Sequence, residues 1–384
     1  MSLKRALFIG QYPNPVAVYK NIFFQNLIFA IADMGIECHV ISPISVMKYH
    51  LRSRKIPAYT NHITKNGNSV NVYYPKILSA SSKKVICFNT ALISEKLFEQ
   101  GAFKKAKKLK FDFVYGHFFL YGGLAAIKIG RAFGIPSFVA YGECDYDSQI
   151  RNTYGNLKVS NIRGLYGIIS VSKKNTNELK ETELFSDIPI FTCPNAIDFS
   201  KFSVLDKQEC REKLKMPQEK FIVGFVGGFI ERKGDKRVLA ACNQLDDVYM
   251  AFAGTGKQPP VGDKVVFCRA LPHDDICIFL NAVDIFVLPT TNEGCCNAII
   301  EAMACGLPIV SSNLSFNDDI LDERNSIRID SNDINQIAGA IRYLKENPQV
   351  RERMSRASLE KAKNLNIRKR AKKIIEFIRE NGEL

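Results

Sequence analysis

The 384-residue chain carries 53 Lys+Arg against 39 Asp+Glu, a net charge of +14, and 46% of its residues are hydrophobic. That length exceeds one ordinary core and predicts two domains, each with enough apolar side chains to pack. No run of eighteen apolar residues occurs and no secretion signal is visible, which argues against a helical membrane span. The 11 cysteines, lacking C-x-x-C spacing, read as small buried hydrophobes in a cytoplasmic, reducing compartment rather than as disulfides or zinc ligands.

The positive charge is uneven. Residues 1–110 hold 17 Lys+Arg and 4 Asp+Glu, a balance of +13, whereas residues 201–384 hold 28 and 26. Arg52, Arg54, Lys55, Lys83, Lys84 and the run Lys104, Lys105, Lys107, Lys108 and Lys110 supply much of the excess. Such a field attracts anionic headgroups, phosphorylated substrates or nucleic acid, while a solvated helix face is the plainer account of the run 104–110.

In chain order, residues 6–10 (ALFIG) predict a strand, 11–17 a loop with two prolines, 21–34 a helix stopped by Gly35, and 37–41 the next strand. This opens a Rossmann-like half, yet the loop lacks G-x-G-x-x-G, so no dinucleotide is expected. Strands at 70–74, 112–115, 136–140, 167–171 and 189–192, with helices between several of them, predict a parallel sheet covered on both faces. His117 stands just past the strand DFVYG, a carboxyl strand end that suits proton handling or sugar binding; a packed loop histidine is the alternative. His39, His50, His62 and His273 have no comparable setting. The segment 193–198 (CPNAID) closes this half, and the polar stretch 199–219 reads as a connection.

The second half opens with a strand at 221–227 and the loop 228–234 (GFIERKG), where glycines admit a ligand and Arg232 and Lys233 place cations beside it. A helix at 236–244 and a strand at 248–253 lead to Gly254-Thr255-Gly256, and neither glycine loop completes a P-loop. The stretch 281–312 is the organising unit: an apolar strand at 285–288, the loop 290–294, a helix at 295–305 and a strand at 307–310. Its loop lies at a carboxyl strand end, where open α/β sheets bind ligands, and the helix N-terminus offers free N–H groups. The helix is apolar all round except at Asn297 and Glu301, and a carboxylate there is costly unless something hydrogen-bonds it. Glu293 precedes Glu301 by eight residues, so the two carboxylates can bracket one hydroxyl-rich ligand; a helix charge and an ion-paired helix residue are the plainer accounts. The final stretch, 367–380, predicts a basic amphipathic helix that docks on the first domain or rests on a membrane.

These residues carry a resemblance. Glu293-Gly294, Glu301-Ala-Met-Ala-Cys-Gly-Leu-Pro-Ile-Val310 resembles the E-x7-E signature of the family-4 glycosyltransferases, retaining enzymes of the GT-B fold. His117, Pro194-Asn195-Ala-Ile-Asp198, Arg232-Lys233-Gly234, Gly254-Thr255-Gly256 and the strand ending at Pro289 follow in the family's order, over nearly the whole chain. The resemblance implies two Rossmann-like α/β domains facing each other across a cleft: 1–198 for the acceptor, with 366–384 returning to it, a linker at 199–219, and 220–365 for the nucleotide sugar. It implies that Glu301 holds the ribose, Glu293 faces the donor sugar, Lys233 meets the diphosphate, and His117 lies near the transferred sugar and acceptor. Cys295, Cys296 and Asn297 join Gly294 in offering amides to sugar or phosphate, and Gly254 lines the donor site.

Three departures stand out. Gly228 occupies the place where the family commonly has an arginine, so Arg232 is expected to supply that second charge. Tyr141-Gly142, followed by Glu143, replaces a frequent second histidine, and Ala196 replaces the usual Gly of P-N-G. Asp145-Tyr146-Asp147 spells the D-x-D that other glycosyltransferases use for manganese, but in the first half, where it reads as acceptor-side or structural. The resemblance thus implies a cytoplasmic hexosyltransferase, peripheral on the inner membrane face, needing no cofactor or metal. A UDP- or GDP-sugar is the implied donor and a lipid-linked saccharide the acceptor in surface-polysaccharide assembly. Lys104, Lys105, Lys107 and Lys108 form the acceptor or membrane face. A GT-B epimerase or phosphorylase, and a basic nucleic-acid-binding protein, are the alternatives.

Overall fold

The computed structural model describes residues 3–16, 21–47, 56–78, 84–85 and 88–384. His50, Arg52, Arg54, Lys55 and Lys83 lie outside the described residues. The chain divides into two compact units, Met1–Cys193 with Ile367–Leu384, and Pro194–Asn366.

The first unit is built on strands β1 (Arg5–Ile9), β2 (Glu37–Ile41), β3 (Tyr59–Ile63), β4 (Ser69–Tyr73), β5 (Phe113–His117), β6 (Ser137–Tyr141), β7 (Leu165–Ser170) and β8 (Ile190–Thr192). They pair in the order β8-β7-β6-β5-β1-β2-β4-β3, parallel except for β3, which runs antiparallel along the β4 edge. Ala6 to Ile9 are fully buried, as a strand covered on both faces requires. Helix α1 (Ile22–Ala32) lays Phe24, Leu27, Ile28 and Ile31 inward, α2 (Thr90–Ala106) and α3 (Leu124–Phe133) follow, and the last helix, α8 (Ile367–Gly382), packs on α1. Ile374, Ile375 and Ile378 are fully buried there, and Phe377 meets Phe138 and Phe191. At about 2 kcal/mol per buried aliphatic side chain, this apolar face is committed to the core and not offered to a bilayer.

The second unit holds a six-stranded parallel sheet: β9 (Phe221–Val226), β10 (Val248–Ala253), β11 (Val265–Arg269), β12 (Ile285–Leu288), β13 (Ile309–Ser312) and β14 (Ser326–Ile329), in the order β11-β10-β9-β12-β13-β14. Helices α4 (Lys207–Leu214), α5 (Asp235–Asn243), α6 (Ile276–Asn281) and α7 (Asn297–Ala304) belong to it. The expected linker 199–219 is instead part of this unit. Asp206 caps α4 by accepting from Glu209 N–H, and buried Arg211 reaches the Ala282 carbonyl at 2.9 Å and Asp284 at 2.8 Å. The polar composition that suggested a connection belongs to the solvent side of that helix. Among the described residues no helix is long and apolar enough to cross a membrane.

Candidate active site

In the second unit the chain leaves β9 into the loop carrying Arg232 and Lys233, and leaves β12 into the loop carrying Glu293. The first loop runs against the turn after β10: a Cβ on Gly254 would lie 1.8 Å from the Gly227 carbonyl oxygen, so only glycine permits the approach. Gly228, where the family that the sequence resembles commonly has an arginine, opens onto space whose nearest atom is Thr255 O, 3.8 Å from an added Cβ.

The two loops meet in one cluster. Glu293, buried, receives Lys233 Nζ at 2.5 Å, the Arg232 guanidinium, and the Thr290 hydroxyl at 3.1 Å, all on Oε1. Burial acts to strip Lys233 of its proton, but Cys296 and Glu293 beside it more than offset that, and its pKa is raised. Arg232 also donates to the Asn292 carbonyl. The cation expected to replace the missing arginine therefore stands beside Lys233, and the carboxylate neutralises part of the pair.

Helix α7 begins at the same loop, with Cys296 at its N-cap and Lys233 Nζ 4.0 Å from Cys296 Sγ. Gly294, Cys295 and Cys296 are buried, Asn195 donates to the Cys295 carbonyl at 3.1 Å, and the buried Oδ1 of Asn297 finds no hydrogen-bond partner among the described residues. One turn further, Glu301 Oε1 lies 3.1 Å from His273 Nε2, with Phe202 edge-on to the imidazole. Sequence reasoning passed over His273. Its signal was the cost of Glu301 on an apolar helix, which requires a donor from elsewhere, and the Pro272-His273 turn after β11 supplies it.

In the first unit His117 ends β5. Its ring stacks on Phe24 at 4.1 Å and 13°. It is buried, and neither ring nitrogen finds a partner among the described residues. Burial, reinforced by the Arg370 charge, holds its pKa down at about 3, so the ring is neutral. It lines a cavity of about 210 Å³ with Gln11, Asn21, Phe118, Glu143 and Gln149. The D-x-D carboxylates are engaged locally: Asp145 accepts from Ser148 N and Oγ at 2.6 and 2.5 Å, and Asp147 pairs with Arg151 at 2.9 Å. Lys104, Lys107 and Lys108 are exposed at the end of α2, while Lys105 is half-buried with Nζ 3.6 Å over the Tyr73 ring.

Residues 206–361 match the family model described as glycosyl transferases group 1. The chain is 27% identical over 339 residues to the UDP-Gal:alpha-D-GlcNAc-diphosphoundecaprenol alpha-1,3-galactosyltransferase of Escherichia coli, covering 82% of this chain and 87% of that protein. It is 24% identical over 216 residues to the capsular polysaccharide biosynthesis glycosyltransferase CapM of Staphylococcus aureus, covering 51% and 57%. Sucrose-phosphate synthase from Thermosynechococcus elongatus superposes with a TM-score of 0.80 at 17% identity, over 98% of both chains, a likeness of fold.

Proposed function

Taking as premise that the chain is a group 1 glycosyltransferase of the GT-B fold, related to enzymes of bacterial surface-polysaccharide biosynthesis, we propose that it is a retaining hexosyltransferase. It transfers a sugar from a UDP- or GDP-sugar to a hydroxyl of a lipid-linked saccharide at the cytoplasmic membrane face. The observation that carries this reading is the cluster of Glu293 with Lys233 and Arg232, one loop and one helical turn from Glu301.

Each part has a task. Glu301, with His273 on one oxygen, accepts from the ribose hydroxyls. The donor diphosphate draws Lys233 and Arg232 away from Glu293, and the amides at the start of α7 add to the positive field, so the leaving charge is met without metal. Glu293, relieved of its cations, then faces the sugar carbon that turns cationic. Neutral His117 offers hydrogen bonds rather than charge to sugar or acceptor. The activity for which the Escherichia coli relative is named, on a diphosphoundecaprenol-linked sugar, supports a lipid-linked acceptor here.

The test is a panel of nucleotide sugars screened by thermal shift, followed by transfer assays in EDTA. A true donor raises the melting temperature, and transfer survives chelation. Loss of transfer in EDTA, restored by manganese, would overturn the metal-free clamp.

A further inference from the structure

The turn after β5 is strained and tightly folded. Residues Phe118–Gly123 form a π-type turn in which Phe118 has φ +64° and Tyr121 φ +62°, ψ −59°, the latter a strained γ-turn geometry; such positive-φ backbone costs about 1–3 kcal/mol in a non-glycine residue. It doubles back on the strand so closely that a Cβ on Gly122 would lie 2.4 Å from the His117 carbonyl oxygen. Three successive amides of this turn end on two carboxylates from other elements. Glu143 Oε1 accepts from Phe119 N at 2.5 Å and Leu120 N at 3.3 Å, while its Oε2 accepts from Gly142 N at 3.1 Å. Glu95 Oε1, from α2, accepts from Tyr121 N at 2.6 Å. Both carboxylates are almost fully buried, at 3% and 1% exposure, a costly placement that these amide hydrogen bonds partly offset. His117, next to this turn, packs its ring on Phe24, Phe23, Phe118 and Tyr115, and among the described residues neither ring nitrogen has a hydrogen-bond partner.

We propose that Glu143 and Glu95 are positioning residues for sugar transfer: they clamp the strained turn and so fix the His117 ring in the wall of its cavity. The proposal rests on the reading of His117 as a group that meets sugar or acceptor. Glu143 lines the cavity but has both oxygens on backbone amides, and Glu95 is not among the lining residues, so the clamp acts through the turn.

The experiment follows the His117 ring directly by NMR of isotope-labelled histidine, its signal assigned with His117→Ala, beside steady-state kinetics. The clamp predicts a single His117 signal that does not titrate between pH 5 and 8 in the intact protein. In Glu143→Ala and Glu95→Ala that signal should broaden or acquire an ordinary histidine titration, and kcat should fall at least tenfold with the donor KM within about twofold. Glu95→Gln, which keeps a carbonyl oxygen for Tyr121 N–H, should restore both. If Glu143→Ala does not fold, the Glu95 pair carries the test. An unmoved His117 signal in folded alanine variants overturns the proposal, as do losses that multiply with that of His117→Ala. A silent His117→Ala with a displaced ring signal instead leaves the clamp standing and overturns the role given to His117.

Discussion

Lys233 keeps its proton because Cys296 and Glu293 outweigh its burial, so a full positive charge stands in the cluster that the proposed function assigns to the donor diphosphate. Lys233→Ala should lower turnover at least about a hundredfold, the scale of losing one donor to a developing negative charge, and Arg232→Ala should be comparably severe. A steady-state comparison checks both, and a silent Arg232→Ala would show that the clamp has another source. Glu301→Gln should weaken donor binding, whereas Glu293→Gln should lower kcat more than binding, because in the proposed reading only Glu293 faces the centre that changes charge. Unchanged kinetics in both variants would remove the site assignment. The pair Glu293 and Glu301 was legible because an eight-residue spacing on a loop and helix is a local property. His273 was not, because its partner lies 28 residues away and is brought to it by packing of α6 against α7.

At the scale of the element, the first unit's turn ties pH to stability. Burial, with the Glu99 charge, pushes Glu95 up to about 8, and burial raises Glu143 to about 7. The folded state therefore binds more protons than the unfolded between the ordinary carboxyl range and these values. Their contribution is full below about pH 4.5 and is lost as pH rises through 7 and 8. His117 has the opposite sign, since its pKa is lowered to about 3; its contribution is full above about 6.5 and does not change between pH 7 and 9. The melting temperature of the intact protein should thus fall from pH 7 to 9 more than that of Glu95→Gln, and equal slopes would show that Glu95 is not held protonated. In the second unit, Gly254→Ala should cost at least about 2 kcal/mol, since backbone must move to admit the methyl; a denaturant titration measures it. Elements defined by buried runs were readable, as at β1, β2 and β12. The antiparallel edge β3 was not: Tyr59 and Ile63 lie on its exposed face with Asn61, while Thr60 and His62 are half-buried, so no apolar-in, polar-out alternation marks it. Helix α4 was hidden likewise, its burial resting on Arg211 and Cys210 rather than on an apolar stripe.

Across the whole molecule the charge divides by unit more sharply than by thirds of the sequence. The first unit carries 31 Lys+Arg and 15 Asp+Glu, net +16, and the second 22 and 24, net −2. The sharper split arises because α8, basic on its solvent side, belongs to the first unit, which the sequence left undecided between core and membrane. With the apolar face of α8 buried against α1, insertion of that face is closed, and attraction to anionic lipid is what remains. We therefore expect binding to anionic vesicles that weakens between 0.1 M and 1 M salt, as the Debye length falls from about 10 Å to about 3 Å. Each Lys or Arg close to the surface adds about 1 kcal/mol at low salt. The substitutions that test this are Lys104, Lys107, Lys108 and Lys110 to Gln, all exposed, with Lys105 left in place because it packs over Tyr73 and its loss would confuse attraction with packing. Vesicle sedimentation should show release of the variant with donor-induced thermal shift intact. Equal binding to neutral and anionic vesicles, or full retention of the variant at low salt, would mean that these lysines do not hold the protein to the bilayer.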